Sequence, residues 1–260
     1  MAREAPLRNR RAKARADADL LTLQRSSAIE RYPFDDISSR LQVNVSNRAK
    51  RLALRLCPKT RTMNLVVPPR ASMKAAYEFA RENEDWIRER LKELPRPVRL
   101  RDGAVIPVFG RERRIVVLYN ENLKCTDILL KKDEIIVMTN KENPSARIKR
   151  FLIEETRERI TALADEKCAA IRRKYSSITI RDTVSRWGSC SSDRRLSFSW
   201  RLAFAPKNAF DYVVAHEVSH LVYMDHSDNF WTLCESVSRD FDGGVDWMRQ
   251  HAHTLMRYNA

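Results

Sequence analysis

The stretch VVAHEVSHLVYMDHSDNFW, Val213 to Trp231, constrains this chain more than any other. Val213, Val214, Val218 and Leu221 recur at helical spacing and call for a buried helix. His216, Glu217 and His220 interrupt that apolar element with an HExxH pattern. An unpaired carboxylate taken out of water costs several kcal/mol, so something must compensate Glu217. Residues four apart on an α-helix lie about 40° apart around the axis and about 6 Å along it. Two imidazoles so placed can grip one ion from the same face. Neutral imidazole suits zinc, and a catalytic zinc keeps three protein ligands and one open position. Glu217, one residue further round, is positioned to take a proton from zinc-bound water rather than to bind the metal.

The third ligand requires a change of chain direction. His226 follows His220 by six residues, and in an unbroken helix it would be rotated by about 240°. It reaches the ion only if the helix ends near Tyr223–Asp225 and the chain turns back. The segment MDHSDN supplies the means, because Asp225 or Ser227 can cap a following helix that begins near Asp228. The spacing matches HExxHxxGxxH, but Tyr223 stands at the glycine position and no Met-turn follows. Glu235, on the next helix, is the rival ligand; His226 is the expected one. Asp225 and Asp242 are candidates to orient a histidine N–H. Upstream, SRWGSC reads as a strand that could hold an extended substrate by backbone pairing, with Arg186 and Trp187 lining the cleft.

The remainder of the chain reads as α+β. Residues 1–38 form an Arg- and Ala-rich tail, with a short helix near Asp17 to Gln24. From 39 to 140 the chain alternates polar and apolar residues in LQVNV, RLALRL, TMNLVVP, AVIPVFG, RRIVVLY, DILLKK and EIIVMT, a β-rich lobe interrupted by one helix over ASMKAAYEFARENEDWIRERLKEL. Pro95 and Pro97 stop that helix. Residues 141–260 form the catalytic domain: a long amphipathic helix after Pro144, a strand, a hairpin, the HExxH helix after Pro206, and helices near Asp228–Arg239 and Val245–Arg257.

Glycine is scarce, five residues in 260, and neither GxxxxGK[ST] nor GxGxxG occurs, which argues against a phosphate loop. The formal charge of +15 favours polyanionic partners or substrates, nucleic acid among them. Five unpaired-looking cysteines point to reduced thiols. With no stretch long enough to span a membrane and no apolar signal segment, the expected location is cytoplasmic.

The block IRDTVSRWGSCSSDRRLSFSWRLAFAPKNAFDYVVAHEVSHLVYMDHSDNFW resembles the YgjP-like metallopeptidase domain, a family formerly of uncharacterised function. The resemblance extends upstream through RAKRLALRLCPKTRTMNLVVPPRASMKAAYEFARENEDWI and DGAVIPVFGRERRIVV. It implies zinc at His216, His220 and His226 with Glu217 as catalytic carboxylate, in a zincin-like core, and more distantly it is similar to SprT-like zinc proteases. The expected activity is therefore peptide hydrolysis by Glu-assisted attack of zinc-bound water on protein or peptide substrates. Two alternatives stay open from sequence: a metal-dependent nucleotide pyrophosphohydrolase, and a nucleic-acid-associated protein whose zinc is structural.

Overall fold

The computed structural model describes residues 32–259, and the tail expected over residues 1–38, with its short helix, lies largely outside them. The chain divides into two compact units, Met1–Leu94 and Pro95–Ala260.

In the first unit a single helical turn, α1 (Phe34–Ile37), buries Phe34 and Ile37, so the end of the expected tail is folded. Strands β1 (Leu41–Val45), β2 (Ala53–Cys57) and β3 (Thr62–Val67) form a sheet of order β1-β3-β2. β1 runs parallel to β3, and β2 antiparallel to it. Alternation along β3 points Met63, Leu65 and Val67 to one side, where none is exposed. They pack with Ala76, Ala80, Ile87 and Leu91. These come from α2 (Met73–Glu82) and α3 (Glu84–Lys92), where one helix was expected. The break falls at Asn83, whose side-chain amide donates to the Phe79 carbonyl at 2.8 Å. Ser72 caps α2 by accepting the Ala75 N–H.

The second unit begins with β4 (Val98–Arg99) and a four-stranded sheet. Its strands are β5 (Val105–Val108), β6 (Arg111–Tyr119), β7 (Asp127–Leu130) and β8 (Glu134–Thr139), in order β5-β6-β8-β7. The 26-residue helix α4 (Ser145–Ala170) follows. Next come β9 (Ser177–Arg181), β10 (Gly188–Cys190) and β11 (Arg195–Ser199), a sheet of order β10-β11-β9. After a 3-10 turn over Trp200–Phe204, helices α5 (Lys207–Ser219), α6 (Asp228–Val237) and α7 (Phe241–His251) complete the helical part. Finally β12 (Tyr258–Asn259) pairs with β4.

A change of compact unit near residue 140 does not appear. Ile115 of β6 and Ile135 and Val137 of β8 share one core with Leu152 and Ile160 of α4, Phe198 of β11 and Val214 of α5. Strands 105–139 thus bury their apolar face in the same cluster as the helix bearing HExxH, and the units part at Leu94/Pro95 instead. Among the described residues no helix is long and apolar enough to cross a membrane.

Candidate metal centre

Helix α5 starts after Pro206 and is buried over most of its circumference through Ala209, Phe210, Val213, Val214, Ala215 and Val218. Its polar residues divide by what they find. Ser219 returns its hydroxyl to the Ala215 carbonyl at 2.8 Å. Asp211 accepts Lys167 Nζ at 2.7 Å and the Arg239 N–H at 2.9 Å. Glu217, 6% exposed, has no hydrogen bond or ion pair among the described residues.

The helix ends earlier than its apolar spacing suggests. His220 is already its C-cap, and the Tyr223 N–H closes onto the Ser219 carbonyl at 3.1 Å. The chain then reverses, with the Ser227 N–H held by Asp225 Oδ1 at 3.1 Å before α6 begins at Asp228. That reversal carries His226 back over α5. His226 Nε2 lies 3.2 Å from His216 Nε2. One ring nitrogen from each of His216, His220 and His226 falls within 4.8 Å of the others, and among the described residues these three alone form such a group.

Glu235 is exposed on α6 and stands outside that group, as does Cys190. The sequence offered Asp225 and Asp242 to orient a histidine, but the Tyr223 carbonyl takes that part, 2.9 Å from His220 Nδ1. A carbonyl can only accept, so Nδ1 carries the proton and Nε2 of neutral His220 keeps its lone pair. Among the described residues His216 Nδ1 is buried without a hydrogen-bond partner. Phe230 stacks on His220 at 4.5 Å between ring centroids and stands edge-on to His216 at 5.0 Å.

Electrostatics keep His216 and His220 neutral. Burial, then the neighbouring imidazoles His220 and His226, push His216 down to about 4. Burial also lowers His220. Both rings therefore offer lone pairs at neutral pH, the state a metal requires. Two nitrogens on a tetrahedral zinc at roughly 2.0–2.1 Å lie about 3.3 Å apart. The His216–His226 separation of 3.2 Å fits that ion.

Burial pushes the Glu217 carboxyl up to about 8, opposed by the Arg186 guanidinium. A bound dication would act in the same direction as Arg186. The Glu217 side chain lies against Gly188 of β10, where an added Cβ would sit 2.4 Å from Oε1. Glu217 opens with His216 into a cleft bordered by Arg186, Trp187, Gly188, Tyr212 and Met248. Arg186 and Trp187, the residues the sequence offered for a substrate cleft, border this cavity. Gly188, Tyr212 and Met248 were missed. Tyr212 sits one helical turn before His216, so its spacing could have revealed it. Met248 comes from α7, and nothing in the sequence connects it to α5.

The YgjP-like family, described as YgjP-like, metallopeptidase domain, matches residues 50–251. This chain belongs to that family, and at family level it is a metallopeptidase. No curated protein and no solved structure matches it.

Proposed function

We propose that this YgjP-like protein is a zinc-dependent peptidase with a zincin-like core, in which His216, His220 and His226 hold the ion and Glu217 moves the proton. The observation that carries the reading is the convergence of three imidazoles beside a buried carboxylate that has no partner of its own. When bound, zinc would supply a Lewis acid that acidifies water and polarises a peptide carbonyl. Glu217 accepts the proton released by the attacking water and returns it to the leaving amide nitrogen. Gly188 lets the carboxylate lie flat against β10, and Arg186 favours its ionised form. Trp187 and Met248 wall the cleft on the substrate side.

Among the described residues β10 is an edge strand, hydrogen-bonded to β11 alone. An extended peptide can add to that edge and bring its scissile bond to the cleft, which assigns Arg186 and Trp187 to substrate positioning. SprT-like proteases are the wider kinship this reading supports. Magnesium-dependent nucleotide hydrolysis finds little support, since that ion prefers carboxylate oxygens and the cluster is wholly imidazole. A structural zinc would need a fourth protein ligand, and the described group has three.

The test pairs metal content with peptide cleavage. Glu217→Gln retains zinc and loses turnover on a denatured protein substrate or a peptide mixture. A Glu217→Gln protein as active as wild type sinks the assignment.

A further inference from the structure

The sheet formed by β9, β10 and β11 has two unlike faces. On one, Ile178, Ile180, Leu196 and Phe198 join the main core. The register sets Thr179 beside Ser197, Ser197 beside Ser189, and Arg195 beside Ser177. Alternation therefore places Ser177, Thr179, Arg181, Ser189, Arg195 and Ser197 together on the opposite face. Those six strand residues bring hydroxyls and guanidiniums and no carboxylate.

A cavity of about 380 Å³ is cut into it, lined by Arg181, Arg186 and Arg195 with Thr179, Ser189 and Ser197. Arg186 lines this cavity and also borders the cleft of Glu217, so the two are neighbours. Arg195 is paired with the exposed Asp193 at 2.5 Å. Arg181 and Arg186 have no ion pair among the described residues. The nearby Asp182 is engaged by Lys149 and Arg201. A solvated sheet face ordinarily mixes charges of both signs; this one offers chiefly donors, and guanidinium forks match carboxylates.

Ser189 lies at the centre of the edge strand β10. A peptide paired to that edge alternates its side chains, and those sharing the Ser189 face point over the three arginines. We propose that this face selects peptides carrying a carboxylate close to the scissile bond, an inference that rests on the peptidase reading above. The carboxylate can be an internal Asp or Glu side chain or the C-terminus of a short peptide.

The probe is a set of fluorescein-labelled decapeptides differing at one central residue, Glu, Gln or Lys, each amidated at the C-terminus. A fourth carries Gln and a free C-terminal carboxylate. Binding is read by fluorescence anisotropy to the zinc-loaded, full-length Glu217→Gln protein. The Glu peptide is expected to bind about tenfold tighter than the Gln peptide, the exposed setting reducing the full value of a charged hydrogen bond. The Lys peptide binds weakest, and the preference shrinks as salt rises. The fourth peptide shows whether a terminal carboxylate serves as well as an internal one; tighter binding than its amide supports the proposal.

In an Arg181→Gln, Arg195→Gln double variant the Glu/Gln ratio falls towards one. Arg181→Lys retains part of it, which separates lost charge from lost fold. Equal binding of the Glu, Gln and Lys peptides overturns the proposal, as does a preference that survives the double variant. A single-stranded oligonucleotide that displaces the Glu peptide, and needs the same two arginines more than the peptide does, assigns the face to nucleic acid and also overturns it. Wild-type protein that cleaves the Gln and Glu peptides equally well, with equal binding, refutes this selectivity and leaves the peptidase reading standing. If no peptide is cut, the peptidase reading fails while the binding ratio still decides what the arginine face recognises.

Discussion

Two carboxylates on α5, six residues apart, are nearly equally buried: Asp211 is 4% exposed and Glu217 6%. Their surroundings differ completely. Asp211 receives Lys167 Nζ and the Arg239 N–H, and Lys167 in turn donates to the Val237 carbonyl at 2.7 Å. That network ties α4 to α5 and to the chain leaving α6. Glu217 receives no such donor; it faces Gly188, a histidine cluster and an open cleft. A buried charge with all its partners holds a fold together, whereas one without them is kept where a proton or an ion must be handled.

The sharpest way to break this contrast is to neutralise each carboxylate at constant shape. Glu217→Gln should lower kcat by on the order of 10³-fold or more, within the range of lost general acid–base catalysis. Its melting temperature should stay level or rise, since an amide removes a buried carboxyl without a partner. Steady-state peptide cleavage and calorimetry on the same sample read both quantities. A large fall in stability would show that Glu217 is structural after all.

Asp211→Asn should behave in the opposite sense. It leaves the Lys167 ammonium buried without its counter-charge, a loss of about 3–5 kcal/mol. For a chain of this size each kcal/mol lowers the melting temperature by roughly 2–4 °C, so a drop of about 10 °C is expected. The folded fraction should keep its zinc and its kcat. Adding Lys167→Met to Asp211→Leu should recover much of the stability, because an apolar pair replaces an ionic one. A double variant no better than the single would mean that hydrogen bonding to Val237 and Arg239, rather than charge, is decisive.

His226→Ala probes the open side of the comparison. Removing a direct ligand should weaken zinc binding by more than the roughly 10–100-fold seen when only an outer partner is lost. Metal analysis after dialysis against a weak chelator measures this. Wild-type protein should lose thermal stability when stripped by a strong chelator and regain it with added zinc, as binding to the folded state alone requires. Stripped His226→Ala should show little such recovery. Wild-type zinc retention in this variant would remove His226 from the ligand set, and Glu235 would have to be tested in its place.

The grouping of the three histidines was legible in the sequence, with Glu217 beside them, because the relevant spacings are local. HExxH is one helical turn, and His226 follows within a single reversal. The contrast with Asp211 was hidden, since Lys167 and Arg239 lie 44 and 28 positions away and nothing in their neighbourhoods marks them as partners. The strands between 105 and 139 were recognised as strands from their alternation, but which core they join depends on the parallel pairing of β6 with β8 and on packing against α4. The arginine face was legible only in part. Alternating Ser, Thr and Arg in SSITIR and RLSFS reads as a solvated strand side until the register sets those residues beside one another.

The smallest and most discriminating effect belongs to Gly188. SRWGSC drew attention to Arg186 and Trp187, yet the closest approach to Glu217 is made by the residue that has no side chain. A methyl group there would lie 2.4 Å from Oε1, 2.5 Å from Cγ and 2.7 Å from the carboxyl carbon, so Glu217 itself must move. Because a catalytic group displaced by about 1 Å can cost up to 10²-fold, Gly188→Ala should reduce kcat by roughly 10- to 100-fold. Zinc content should be unchanged, and the melting temperature should move far less than in Asp211→Asn. Combining Gly188→Ala with Glu217→Asp, whose shorter side chain withdraws from the added methyl, should be less damaging than the product of the two single changes. Strict additivity in that double-variant cycle would separate the two residues, leaving the contact between β10 and α5 as packing alone.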